Sequence, residues 1–428
     1  MWQDRGIWLF YPKLPHLLAA YIYLIIKDIY LSMKIIYFVT TLLSGIFTYY
    51  LSKKIFNDKK VALLSSLIYI TVPYHICEIY IRDAFAENFM FMVLPMIFLG
   101  LYNLKDNNYF KFYTFFILGY IIGINSHLGS MFFYTIFIGL FILYYRKEFF
   151  QKDRFKALII STFIVSGVCL SFLGPLLEHK IFGNYRVFTE AFSNLNEVQI
   201  FSLNLKDLYS QVPLSDKIMP YFNIMTIILF GLSLIGFLFN KKDGYKKEEK
   251  IFLLLIILLI NFVCSKVIWE YLPSLFISIQ FPWRLLVFLV LFVSLFSPLI
   301  LINKKIPRCI KNLLVFVCSL VIVFEGIDNI SYYSNFEVTV DEAANSIYSM
   351  GYQREYFPVM TAGDLYIFHY DGYNHEIKSY KFRTDDDNVS IKITKDYFPS
   401  MDFIVDNVNR SVNIEFPRIF YFGYKLLD

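Results

Sequence analysis

Charge is scarce in this chain. Of its 428 residues only 18% are Asp, Glu, Lys or Arg, where a soluble domain carries about a quarter. The net charge of +5 is too small for a nucleic-acid footprint, and no nucleic-acid partner is expected. Cysteine is also sparse. Cys77, Cys169, Cys264, Cys309 and Cys318 lie in or beside apolar runs, and no two form a CxxC pair. They read as small buried hydrophobes, not as a metal site or a disulfide framework. Met1 to Arg5 is polar and contains Asp4, so a secretory signal is not expected there. No GxGxxG, P-loop, HExxH or GxSxG string falls in a suitable context, which excludes soluble nucleotide-binding, zinc-peptidase and serine-hydrolase readings. Fixed-period repeats and low-complexity tracts are missing too.

What the chain has in surplus is apolar and aromatic. It is 57% hydrophobic and 20% aromatic, with 47 Phe and 34 Tyr, as suits a polytopic membrane protein with interfacial aromatics. Ten apolar runs long enough to span are expected over residues 31–51, 61–77, 85–104, 110–124, 127–145, 157–177, 220–240, 251–267, 283–302 and 312–327. Leu14–Ile26 is too short to span and reads as an interfacial or re-entrant helix. Basic loops follow the first, fifth, seventh and ninth runs, with Lys53, Lys54, Arg146, Lys147, Lys241, Lys242, Lys304 and Lys305 among them. All fall on one side if counting starts at residue 31. The positive-inside rule makes that side cytoplasmic. The 178–217 loop, the 270–284 loop and the C-terminal tail then face outward.

From about residue 331 polar residues rise and alternation appears, as in Val389-Ser390-Ile391-Lys392-Ile393-Thr394 and Val412-Asn413-Ile414-Glu415-Phe416. The expected organisation is an outer loop and interfacial helix over 1–30, a transmembrane helical domain over 31–330, and a small β-rich extracytoplasmic domain over 331–428. The fold class is thus mainly α, a membrane-spanning bundle with a β-rich appendage.

The outward face collects the charged residues that need a reason to be near hydrocarbon. In Tyr80-Ile81-Arg82-Asp83-Ala84-Phe85-Ala86-Glu87-Asn88, Asp83 and Glu87 are one helical turn apart. They either hold a divalent cation, with Arg82 on an anionic phosphate, or form a helix start, with Asp83 as the cap and Glu87 in the first turn. His127, beside Asn125 and Ser126, is either a hydrogen-bonded turn residue or a ligand for phosphate or a cation. His75 and Glu78 are positioned to pair with Arg82. In Gln280-Phe281-Pro282-Trp283-Arg284, Pro282 starts a helix and Trp283 sits at the interface. Arg284 must snorkel, pair with a carboxylate or bind lipid phosphate.

These strings resemble a family. Phe10-Tyr11-Pro12-Lys13-Leu14-Pro15-His16, Pro73-Tyr74 with Tyr80 to Glu87, Gln280 to Arg284, and Pro417 to Tyr424 look like the ordered motifs of bacterial membrane proteins labelled 6-pyruvoyl-tetrahydropterin-synthase-related. That label implies no pterin chemistry here. The family is in turn similar to GT-C glycosyltransferases and to YfhO-like membrane proteins. The resemblance implies a sugar moved from a polyprenyl-phosphate-linked donor to a cell-envelope glycan or protein acceptor at the outer face of the bacterial cell membrane. Carried onto this sequence, it implies Glu87 and Asp83 as catalytic or metal-holding carboxylates, with Mg or Mn as the cation. Arg82, His127 and Arg284 would bind the donor phosphate. GT-C enzymes also carry an acidic residue in the loop after a first span; this chain shows no such span before Trp2, so that loop is expected to be missing. The alternative is a non-enzymatic membrane scaffold or a lipid-linked-glycan handling protein. A secondary transporter fits less well, because neither mid-span charges nor repeated halves occur.

Overall fold

The computed structural model describes residues 10–182, 195–210, 219–239, 246–273, 276, 279–334, 383–386, 388–397, 400–408 and 410–415. Asp4, the 372–374 turn and the 417–424 string lie outside the described residues. The chain divides into two compact units. The larger comprises Pro12–Ser171 and Asn194–Val338; the smaller comprises Met1–Tyr11, Phe172–Ser193 and Thr339–Asp428.

In hydrocarbon every backbone polar group must be satisfied within the chain, so apolar runs become helices. The main helices are α1 (Leu14–Ile26), α2 (Ile29–Phe56), α3 (Lys59–Thr71), α4 (Pro73–Tyr80), α5 (Phe85–Lys105), α6 (Tyr109–Ser126), α7 (Leu128–Tyr144), α8 (Lys152–Phe182), α9 (Ile224–Phe239), α10 (Lys246–Cys264), α11 (Leu286–Phe296) and α12 (Arg308–Ser334). Turns of 3-10 helix over Pro282–Leu285 and Ser297–Ile302 extend α11 at both ends. Among the described residues six segments are long and apolar enough to cross a membrane: Ile29–Phe56, Lys59–Tyr80, Phe85–Lys105, Lys152–Phe182, Pro282–Ile302 and Arg308–Ser331. The four other expected spans are also helical, as α6, α7, α9 and α10.

One expected span is broken. The run over 61–77 stops at Thr71, and α4 restarts at Pro73. The residue before a proline is pushed out of the α region, and Val72 takes ψ 136°.

The core of the larger unit is α5 and α11. Every residue of α5 from Phe85 to Leu104 is buried, as is all of α11. Helix α5 packs on α2 and α6, α3 on α2 and α12, and α10 on α11. The 18-residue apolar window of α12 is only 17% buried, and Phe316 and Phe324 stand exposed on it, as a lipid-facing helix requires. Lipid tails are as apolar as Leu, so close contact and polar ties hold such helices together. Gly100 on α5 shows the contact: a Cβ there would sit 2.9 Å from the Phe116 backbone nitrogen on α6. Ser52 and Ser65 share a 3.0 Å hydroxyl bond between α2 and α3, and Ser66 donates to the Gly45 carbonyl at 2.8 Å.

In the smaller unit, the described strands β1 (Arg383–Thr384), β2 (Ser390–Tyr397), β3 (Ser400–Asp406) and β4 (Ile414–Glu415) form two antiparallel pairs, β1 with β4 and β2 with β3. The β2–β3 register runs from Ser390↔Asp406 to Tyr397↔Ser400, with an irregularity between Ile393 and Lys395. The alternation over 389–394 is therefore a strand. Arg410 Nε meets Asp386 Oδ2 at 3.0 Å, and Asn413 pairs with Asp385 at the end of the β1–β4 pair.

Candidate functional site

The site grows from the corner between α4 and α5. Helix α4 lasts two turns, and Glu78 and Arg82 are spaced i, i+4, the favourable order for an acid before a base. The chain then turns sharply. Arg82 N donates to Cys77 O at 2.9 Å, Ala84 N to Glu78 O at 2.9 Å, and Asp83 takes a left-handed φ of 46°. That φ departs from the extended backbone of a capping residue. Asp83 is accordingly not the cap of α5: Ala84 occupies that place and makes no side-chain bond. The Asp83 carboxylate instead accepts the Tyr37 hydroxyl of α2 at 2.7 Å. Glu87 does lie in the first turn of α5.

Arg82 joins the two remaining carboxylates. Its Nη1 donates to Glu78 Oε1, and its Nη2 lies 3.3 Å from Glu87 Oε2. Both carboxylates are buried, Glu78 completely and Glu87 to 3% exposure. The guanidinium carbon rests 4.1 Å from the centre of the Trp283 ring. Burial opposes the Arg82 charge, but Glu78 and then Glu87 outweigh it and raise its pKa above the ordinary arginine value.

The second cation comes from the start of α11. Gln280 turns the chain with φ 63°, and Pro282 opens the 3-10 turn. Arg284 Nη1 donates to Ile279 O at 2.9 Å and to Gln280 Oε1 at 2.8 Å. Its Nε lies 3.7 Å from the same Glu87 Oε2 that Arg82 grips. From α7, the Tyr134 hydroxyl donates to the Arg284 carbonyl at 3.1 Å. His127, between α6 and α7, is buried, and its Nδ1 accepts the Ser130 N–H at 3.1 Å. With Nδ1 accepting, the neutral ring carries its proton on Nε2. His127 and Glu87 interact electrostatically.

Arg82, Glu87 and Arg284 are therefore in contact, with His127 near them, while Asp83 is engaged elsewhere. Asp83 and Glu87 are held by different partners, and among the described residues no three His, Cys, Asp or Glu side chains group to hold a metal ion. The described donor set does not fit the Mg or Mn that the sequence suggested. Tyr37 and Tyr134 were not expected at this corner; no local sequence signal marks them, because each arrives from a different helix of the bundle, whereas Tyr74 stands one turn before Glu78 on α4. Glu78, by contrast, was marked by its spacing to Arg82.

A sequence model of the 6-pyruvoyl-tetrahydropterin synthase related domain, a membrane protein domain, matches residues 8–332. The chain belongs to this family. The match spans α1 to α12 almost entirely and includes every residue of the α4–α5 corner. With six membrane-length apolar helices among its described residues, this member is a multi-pass membrane protein. Neither a curated protein nor a solved structure matches the chain.

Proposed function

We propose that the chain is a GT-C-like membrane glycosyltransferase that takes a sugar from a polyprenyl-phosphate-linked donor and passes it to a cell-envelope acceptor at the outer face. The observation that carries this reading is the meeting of Arg82 and Arg284 on one oxygen of Glu87. Two guanidinium groups at a bundle end suit a lipid phosphate held at the membrane surface. The other end of α5 carries Lys105, among the basic loops that the positive-inside rule keeps in the cytoplasm; the arginine corner then faces outward.

In this reading the donor phosphate draws Arg284 and Arg82 toward its own oxygens. Glu87 loses cationic partners and becomes a stronger base. Its carboxylate then orients the acceptor hydroxyl and takes its proton as the oxygen attacks the anomeric carbon. The bond from that carbon to the phosphate oxygen breaks, and the phosphate leaves with the electron pair, stabilised by the arginines. His127 supplies a further N–H donor. Asp83 acts indirectly, holding the turn that presents Arg82 through its bond to Tyr37. No step passes through a metal.

A second reading has its own observation. Arg82 between Glu78 and Glu87 already ties α4 to α5, as a structural clasp in a scaffold protein would. The deciding experiment is transfer from a radiolabelled polyprenyl-phosphate hexose by the purified full chain in nanodiscs, with envelope glycan as acceptor. Transfer that Glu87→Gln abolishes supports the enzyme; no transfer by the wild-type chain, or full transfer by the variant, supports the clasp.

A further inference from the structure

The phosphate reading asks Arg82 and Arg284 to change acceptors without losing their place. An anion arriving at the corner meets the arginines first: the Arg82 and Arg284 side chains are 15% and 14% exposed, against 0% and 4% for Glu78 and Glu87. The bonds that hold Arg82 lie in the plane of its guanidinium, one to each carboxylate. When Arg82 gives up Glu87 for a phosphate, part of that in-plane restraint goes with it. A contact outside the plane must then keep the fork in position.

The string Phe281-Pro282-Trp283-Arg284 supplies that contact. Residues two apart on a helix do not face each other, but Phe281 is extended, with ψ 114°, and Pro282 opens a 3-10 turn. The Phe281 and Trp283 rings therefore stack across Pro282, with 4.8 Å between centres and 19° between planes. Each ring carries one guanidinium. The Arg82 carbon lies 4.1 Å from the centre of the Trp283 ring and the Arg284 carbon 5.1 Å from that of Phe281. Phe281 is braced in turn by Phe201, edge-on at 4.9 Å, and Trp283 is only 5% exposed. A cation over a ring face is held by the ring quadrupole, and a stacked arginine keeps its in-plane N–H groups for hydrogen bonds. The ring thus restrains Arg82 whichever acceptor those groups face.

We infer that Trp283 is a positioning residue for the lipid phosphate: its ring face keeps the Arg82 guanidinium in place while the in-plane N–H groups pass from Glu87 to the phosphate oxygens. Trp283 itself touches no phosphate and acts only through Arg82. Phe281 does the same, at longer range, for Arg284. The inference rests on the lipid-phosphate reading of this corner and adds to it the group that prepares the arginine.

The test measures binding of bare polyprenyl phosphate to the full chain in nanodiscs. Trp283→Leu keeps an apolar side chain and loses the ring; it is expected to weaken binding about tenfold, the scale of a desolvated cation–π contact. Trp283→Phe restores a ring face and is expected to weaken binding only about threefold, which keeps the inference testable if the Leu variant does not fold. The decisive readout is the same Trp283→Leu change made in an Arg82→Lys background. Lysine has no planar fork to stack, so the further loss there should be no more than about twofold, whereas a ring that merely fills space costs the same in both backgrounds. Equal loss in the two backgrounds, a Phe variant that binds no better than the Leu variant, or a Leu variant that binds as tightly as wild type each overturns the positioning role and leaves the phosphate reading intact. A wild-type chain that does not bind polyprenyl phosphate overturns the phosphate reading, and this inference with it.

Discussion

The two ends of the bundle carry clusters of the same composition and different construction. At the α4–α5 corner, Arg82 and Arg284 meet Glu78 and Glu87 beside Trp283. Toward the other end, Lys105 and Lys247 meet Glu248 and Glu148 around Tyr145. Each is two cations and two carboxylates with two aromatic rings, Trp283 and Phe281 at the arginines and Tyr145 and Tyr102 at the lysines. In the lysine cluster each cation has its own carboxylate, and both ammonium groups lie over one ring, at 3.8 and 4.6 Å. The Lys247 side chain is 47% exposed, so water shares its charge. In the arginine cluster both cations converge on one oxygen and the carboxylates are buried. Pairing one to one makes a brace. Two cations crowding one buried acceptor leave an arrangement that an anion can relax, and that is the physical ground for placing chemistry at the arginine end.

The largest expected effect separates the two ends by stability. Glu78→Ala leaves a buried guanidinium short of a partner and should destabilise the chain by about 3–5 kcal/mol. Lys247→Ala removes a half-exposed ion pair and should cost at most about 1 kcal/mol. Thermal inactivation of the detergent-solubilised protein, followed by size-exclusion monodispersity, measures both. Comparable losses from the two variants would erase the distinction. Next in size is Glu87→Gln, which should lower transfer about 100-fold or more, while Glu148→Gln leaves it within twofold. Arg284→Lys keeps the charge but loses the planar fork, and should raise the donor KM about tenfold with little change in kcat. A kcat effect without a KM effect would move Arg284 away from the phosphate.

Much of this contrast was legible in the sequence and part was not. Helix α1 matches the expected short helix at both bounds, because Pro15 and Lys27 mark its ends chemically. The start of α11 was legible from Pro282, and the Glu78–Arg82 pair from its spacing. Pro73 carried the signal for the break after Thr71, but hydropathy averaged over the run concealed it. The cap assigned to Asp83 failed because a left-handed turn is decided by what Tyr37 offers across the bundle, not by the neighbouring residues. The sharing of Glu87 by Arg82 and Arg284 could not be read at all. It depends on α5 and α11 being the two buried helices at the centre, and near-uniform apolar runs do not say which of them will be central.

The smallest expected effect sharpens the comparison through pH. Burial works against ionisation of Glu148, yet the hydrogen bond and charge of Lys247 hold its pKa below the ordinary glutamate value. A carboxylate with a lowered folded pKa contributes stability that is fully present above the unfolded value, about 4.3, and is lost as pH falls through the folded value. The lysine brace should therefore weaken only below about pH 4, and Glu148→Gln should remove that pH dependence. At the other end, Arg82 has a pKa raised by Glu78 and Glu87 and stays charged throughout. Following thermal inactivation from pH 7 down to pH 3.5 in wild type and Glu148→Gln isolates the term. A wild-type midpoint that falls with acid and a variant midpoint that falls less assigns the titration to the lysine end. Identical curves would mean that the brace contributes nothing, and that the two ends differ by more than the pairing argument claims.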